Sequence, residues 1–140
     1  VKAILEPLCE QQPERIVIVN RTVSKAEVLA EKFSGDVSIN ASSYAELAGD
    51  KFDLVINATS LSLEGKLVPV PDSILNKGAC CYDLMYADQP TVFMQWAKQQ
   101  GAEKVLDGLG MLVEQAAEGF LIWHGIKPDT APVIAALRNQ

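Results

Sequence analysis

An α/β fold with a doubly wound parallel sheet is predicted by three features of this 140-residue sequence. Short apolar runs rich in β-branched residues recur, Ile16-Val17-Ile18-Val19 and Leu54-Val55-Ile56 among them, as suits strands covered on both faces. Segments of helical periodicity alternate with these runs at the spacing of strand–helix–strand units. The strands also stop at polar residues, Asn20, Asn57, Asp83 and Asp107. Right-handed crossovers bring all such strand ends to one edge, where ligands bind in sheets of this kind.

The elements follow in order. Lys2 to Gln12 is helical in pattern, with Ile4, Leu5 and Leu8 on one stripe and Pro7 expected to kink it. After the Ile16 strand, Ala26, Leu29, Ala30 and Phe33 form the apolar face of a helix over Ser24 to Phe33, with Thr22 or Ser24 as its N-cap. Ser34-Gly35-Asp36 stops it, Val37 to Asn40 is a short strand, and Ser42 or Ser43 caps a brief helix through Leu47. Phe52 to Asn57 is the next strand, followed by a long loop with Pro69 and Pro71 and a short helix near Asp72 to Leu75. Asn76-Lys77-Gly78 turns into a strand over Ala79 to Tyr82. Helices are expected from Thr91 to Gln100, from Met111 to His124 and from Thr130 to Arg138, with a small strand at Lys104 to Leu106.

Composition narrows the function. With 49% apolar and 21% charged residues the chain is globular in type and the size of one domain. A formal charge of −6 argues against nucleic-acid binding, which depends on many Lys and Arg contacts to phosphate. No apolar run approaches a membrane span. Three cysteines without a spaced framework suit a reduced, cytoplasmic setting, and with a single His they offer no metal site. His124, before Gly125, suits a helix C-terminus better than catalysis.

The common ligand of this architecture is a dinucleotide. Its diphosphate usually rests on a glycine-rich turn after the first strand, and an acid after the second strand holds the ribose. No such turn is present, and Asn20-Arg21 stands where the acid would be. A guanidinium there suits a 2′-phosphate, so NADP(H) is expected rather than NAD(H), with Lys25 as a second cation. The chain starts with Val1, and Val1 to Leu8 read as the inside of a helix. The expectation is a piece of a longer protein whose first strand and glycine turn lie upstream.

Five stretches stand in one order: Asn20-Arg21-Thr22 with Ser24-Lys25; Asn57-Ala58-Thr59-Ser60; Tyr82-Asp83-Leu84-Met85-Tyr86; Asp107-Gly108-Leu109-Gly110-Met111-Leu112-Val113 with Gln115-Ala116; and Trp123-His124-Gly125. Through them the chain resembles the shikimate dehydrogenases of aromatic amino-acid (chorismate) biosynthesis, in their C-terminal, cofactor-binding portion. The resemblance implies a Rossmann-like sheet lacking its first strand and glycine-rich turn, over residues 1–107, and closing helices over 108–140 that pack toward a missing N-terminal substrate domain. It implies that Asn20, Arg21, Thr22 and Lys25 hold the adenosine 2′-phosphate end, where Lys25 stands in a place often taken by Arg. Thr59 and Ser60 match a loop beside the cofactor. Leu84, at a position commonly Met, packs near the nicotinamide, and Gly108 lets the backbone approach it. Tyr86 and Gln115 match residues that hydrogen-bond the hydroxyls or carboxylate of shikimate. The family's catalytic Lys and Asp belong to the substrate domain, so no catalytic residue is assigned in this chain. One departure stands out: the family usually has Gly two places after Asn-Ala-Thr-Ser, whereas Leu61-Ser62-Leu63 occupies that region here.

The activity so implied is reversible reduction of 3-dehydroshikimate to shikimate with NADPH. Alternatives are a quinate/shikimate dehydrogenase of broader specificity and a non-catalytic NADP-binding module. The fold's order puts the missing strand centrally, between the Ile16 and Leu54 strands, so the 140 residues are not expected to be active or to fold stably alone.

Overall fold

The computed structural model describes residues 1–33, 35 and 37–139, with Leu63 described by its backbone only. Of the stop expected at Ser34-Gly35-Asp36, the first and last residues lie outside that set. The chain divides into two compact units, one of residues 1–51 with 69–74, the other of 52–68 with 75–140.

The first unit contains α1 (Lys2–Glu10), β1 (Arg15–Val19), α2 (Val23–Lys32) and β2 (Ser38–Ser42). Strands β1 and β2 pair in parallel, with Ile16 opposite Ile39 and Ile18 opposite Ala41. Because strand side chains alternate, these four share one face. Ala26, Leu29 and Ala30 of α2, Phe33 at its C-cap and Leu5 of α1 cover it. The sequence predicts burial on both faces of β1, but only Ile18 is fully buried, because within this unit a single helical layer covers the strand pair. Helix α1 runs through Pro7 and ends at Glu10, short of Gln12, which takes a positive φ of 50°.

The second unit contains β3 (Phe52–Asn57), β4 (Leu75–Asp83), α3 (Val92–Gln99), β5 (Lys104–Leu106), α4 (Leu109–His124) and α5 (Ala131–Arg138). Its sheet is parallel, in the order β3-β4-β5. The parallel strands with flanking helices expected from the sequence are thus present as two separate sheets, one in each unit.

One stretch corrects the sequence reading. No helix forms at Asp72 to Leu75: residues 72–73 are a turn, with Ser73 at φ 64°, and β4 already begins at Leu75. Asn76-Lys77-Gly78 is likewise part of that strand rather than a turn before it. The pairing shifts register between Phe52 and Leu54, and Gly78 at φ 85° supplies the left-handed residue that such an irregularity uses. Local turn residues therefore mark a bulge in a longer strand. Further along β4, Ala79, Cys81 and Asp83 alternate onto one buried face against α3, which contributes Phe93, Trp96 and Ala97. Burial, with Cys80 beside it, pushes the Cys81 thiol up to about 11, so it serves as packing rather than as a nucleophile.

Candidate functional site

One candidate region lies where β1 ends. The backbone N–H of Asn20 donates to the carbonyl of Ser42 at 3.4 Å, which keeps the ends of β1 and β2 side by side. Asn20 Oδ1 then accepts the N–H of Thr22 at 2.9 Å, a side-chain-closed turn that swings the chain off the sheet. Thr22 is the N-cap residue of α2, as expected, but its hydroxyl makes no capping bond; Ser24 lies inside the helix. The turn leaves Arg21, Thr22 and Lys25 together within one helical turn, Arg21 and Lys25 exposed. Among the described residues neither Arg21 nor Lys25 forms an ion pair. Beside them, burial raises the pKa of Tyr44, just past β2, and the Arg21 charge opposes that rise, so guanidinium and phenol are electrostatic neighbours. No local pattern singles out this tyrosine. Ser43 and Glu46 close the turn after β2 reciprocally, Ser43 N–H to Glu46 Oε2 at 2.8 Å and Glu46 N–H to Ser43 Oγ at 3.4 Å.

A separate candidate region, in the second unit, is built on the β3-β4-β5 edge. Three polar strand ends do gather there, since Asn57 registers with Asp83 and Asp107 follows Leu106, the partner of Tyr82. All three are turned inward, at 4%, 0% and 7% exposure. Asp83 accepts four hydrogen bonds: from Asn57 Nδ2 (3.1 Å) and Met85 N–H (3.1 Å) on Oδ1, and from the hydroxyls of Ser62 (2.8 Å) and Thr91 (2.6 Å) on Oδ2. Asn57 Oδ1 accepts both the N–H (3.1 Å) and the hydroxyl (2.8 Å) of Thr59, and the Thr59 hydroxyl accepts the Leu61 N–H at 3.3 Å. Thr59 is therefore held as part of the turn, whereas Ser60 is exposed with its hydroxyl outside any capping bond. Ser62, where the resemblance implies Gly, turns its side chain toward Asp83. A 3-10 turn over Leu61–Glu64 follows, ended by Gly65 at φ 66°.

Leu84 and Gly108 are brought into direct contact. A Cβ at Gly108 would lie 2.0 Å from the carbonyl oxygen of Leu84, and the Gly108 N–H donates to Met85 O at 3.0 Å. Glycine is required there by the Leu84 backbone and not by conformation, because its φ of −75° suits any residue. Tyr86 follows on the same loop, 48% exposed, and Gln115 is exposed on the second turn of α4. Among the described residues no hydrogen bond joins these two.

Asp107 is held differently. Arg138 of α5 grips it through two bonds, Nη1 to Oδ2 at 2.7 Å and Nη2 to Oδ1 at 2.6 Å, and the N–H of Leu109 adds a third at 3.2 Å. Burial pushes the carboxyl pKa up, but the Arg138 and Leu109 donors outweigh it and the net direction is down. Sequence reasoning misses Arg138 because it lies 31 residues away, on the last helix. Among the described residues no group of His, Cys, Asp and Glu could hold a metal ion, and no helix is long and apolar enough to cross a membrane.

Comparison with known proteins gives these features a family. Residues 1–64 match the family model described as shikimate / quinate 5-dehydrogenase, and residues 108–138 match that of the shikimate 5′-dehydrogenase C-terminal domain. The chain is 56% identical, over all 140 residues, to the NADP(+) shikimate dehydrogenase of Cellvibrio japonicus (strain Ueda107), of which it covers 51%. Among solved structures, an Ael1 enzyme from Pseudomonas putida matches at a TM-score of 0.85 and 40% identity, over 95% of this chain and 49% of that one. The shikimate 5-dehydrogenase of Thermus thermophilus, solved with NADP(H) and shikimate, matches at 0.79 and 31% identity, over 98% of this chain and 50% of that one. The chain spans about half the length of the curated relatives it matches. Two of the family's models are matched in order and that identity is sustained from end to end, so the chain is similar along its whole length to NADP(+) shikimate dehydrogenases.

Proposed function

We propose that this chain is the NADP-binding portion of a shikimate dehydrogenase, within a full-length protein that interconverts 3-dehydroshikimate and shikimate. The single observation that carries the reading is the exposed pair Arg21 and Lys25 at the end of β1, with Asn20 where an acid would repel a 2′-phosphate. These residues fit NADP(H): the Asn20 turn presents a planar guanidinium, suited to a phosphate, and a second cation one helical turn on.

Asn20, Arg21, Thr22 and Lys25 hold the adenosine 2′-phosphate end. On the β3-β4-β5 edge, Thr59, Ser60, Leu84 and Gly108 shape the nicotinamide side, and Tyr86 and Gln115 orient the substrate hydroxyls or carboxylate. NADPH, when bound, supplies the hydride; the chain's own residues bind, orient and exclude water. The proton that ketone reduction also needs comes from the half of the family's length that this chain does not span. Residues 1–107 then form the cofactor domain and 108–140 the closing helices that pack toward the substrate domain. What supports that division is the apolar surface on the closing segment, where Phe120, Ile122, Trp123, Val133 and Leu137 are all exposed.

The test uses the full-length protein. It should oxidise shikimate with NADP far faster than with NAD, and Arg21→Ala should lower that cofactor preference about tenfold or more, as expected for loss of a charge-assisted phosphate contact. An unchanged preference refutes the reading of Arg21. A second reading, quinate alongside shikimate as substrate, is favoured by the description of the family model over residues 1–64; turnover with quinate in the same assay decides it.

A further inference from the structure

We propose that Asp83 is a positioning residue for the nicotinamide side of the site: one buried carboxylate fixes the 59–62 turn relative to the 84–86 loop. The inference rests on the function proposed above but stands on its own geometry. Asp83 is fully buried, and its four accepted bonds come from four different segments: the end of β3, the 3-10 turn after it, the loop after β4 and the first residue before α3. An ionised carboxylate is an acceptor with room for about four donors, so this one is satisfied without a ligand. Its role is therefore to hold protein groups in place rather than to touch substrate.

The bonds cross-tie two loops. Asn57 Nδ2 bridges Asp83 and the Ser62 hydroxyl (3.0 Å), while the Asn57 backbone carbonyl accepts the N–H of Leu84 at 2.9 Å. Met85 is held from both sides, its N–H by Asp83 and its carbonyl by Gly108. Thr91 donates to Asp83 while accepting the Met94 N–H as the cap of α3, so the helix end is tied into the same knot. Ser62, at the family's Gly position, adds a donor that glycine lacks. Displacing either loop by about 1 Å is enough to cost on the order of a hundredfold in a reaction that depends on approach geometry.

The experiment compares the full-length protein with its Asp83→Asn and Ser62→Ala variants. Asparagine keeps the shape but turns one acceptor into a donor facing hydroxyls that already donate. For Asp83→Asn, kcat should fall roughly tenfold or more, with the KM for NADP changed less than about threefold, since the adenosine end is held elsewhere. The primary deuterium isotope effect with deuterated NADPH should rise, as a misplaced nicotinamide makes hydride transfer limiting. Ser62→Ala should show the same pattern, smaller, and carries the test if Asp83→Asn does not fold. A lower melting temperature with an unchanged isotope effect marks a purely structural role and overturns the proposal. Amide hydrogen exchange without substrate gives a reading independent of activity. Residues 57–62 and 84–86 should lose protection together, and loosening of only one segment, or of neither, refutes the coupling. If the unaltered protein does not turn over shikimate, the proposed function fails while the exchange result still decides the role of Asp83.

Discussion

Replacing Gly108 by Ala puts a methyl group against a backbone that is itself held. The new Cβ would lie 2.0 Å from the carbonyl oxygen and 2.7 Å from the carbonyl carbon of Leu84, so one backbone or the other must shift by roughly 1 Å or more. Leu84 cannot easily give way, since its N–H is bonded to Asn57 O at 2.9 Å, and Gly108 is bonded to Met85 O at 3.0 Å. Overpacking of this kind costs about 1–3 kcal/mol, and losing the Gly108 bond adds about 1 kcal/mol. Against this stands a gain of about 0.5–1 kcal/mol from stiffening the unfolded chain, because a φ of −75° is open to alanine. The clash wins, leaving a net loss of about 1–3.5 kcal/mol. Urea unfolding of the full-length protein, followed by circular dichroism, measures it. Gly119→Ala is the comparison: a Cβ there meets nothing within 4 Å in the interior of α4, and the change should be neutral or stabilising by up to about 1 kcal/mol. If Gly108→Ala were as stable as the parent, the close approach to Leu84 would not be what requires glycine.

The Asp107–Arg138 clamp makes a pH-dependent claim. The folded carboxyl pKa is depressed, so its contribution is fully present above the unfolded value of about 3.9 and is lost as pH falls through the lower folded value. Arg138→Gln should cost about 1–2 kcal/mol at pH 7, discounted because the Arg138 side chain is 49% exposed; a cost that did not shrink below about pH 4 would refute the assignment. Lys25→Ala should weaken NADP binding less than Arg21→Ala, because an ammonium lacks the planar fork, and equal losses by calorimetric titration would contradict that ranking. The isolated 140 residues should unfold without a single cooperative transition, since their sheets have two and three strands and Trp123 and Ile122 are 80% and 79% exposed. Equal calorimetric and van't Hoff enthalpies would show otherwise.

Legibility differs from place to place for physical reasons. The strand and helix alternation can be read because period-2 and period-3.6 patterns are local, and most elements fall within a few residues of expectation. The stretch 76–78 misleads because Asn and Gly signal a turn locally, while the register shift that turns Gly78 into a bulge depends on β3 as pairing partner; at 72–73 a turn forms where a helix is expected. Asn57, Asp83 and Asp107 stand out as polar strand ends, but their inward direction does not. Polar residues at strand ends suit ligand contacts and turn closure equally, and only the positions of Ser62, Thr91 and Arg138 separate the two.

By itself, the sequence determined the class of fold, the family resemblance and the expected preference for a 2′-phosphate, because Asn20-Arg21-Thr22 and Lys25 lie within six consecutive residues and need no distant partner to be recognised. Tertiary structure alone decided why Gly108 is glycine, which carboxylates are spent on holding loops, and what Ser62 does at the family's Gly position. Each of those answers depends on groups 21 to 31 residues apart, brought within bonding distance by the pairing of β3, β4 and β5 and, for Arg138, by the placement of α5, neither of which a local pattern encodes.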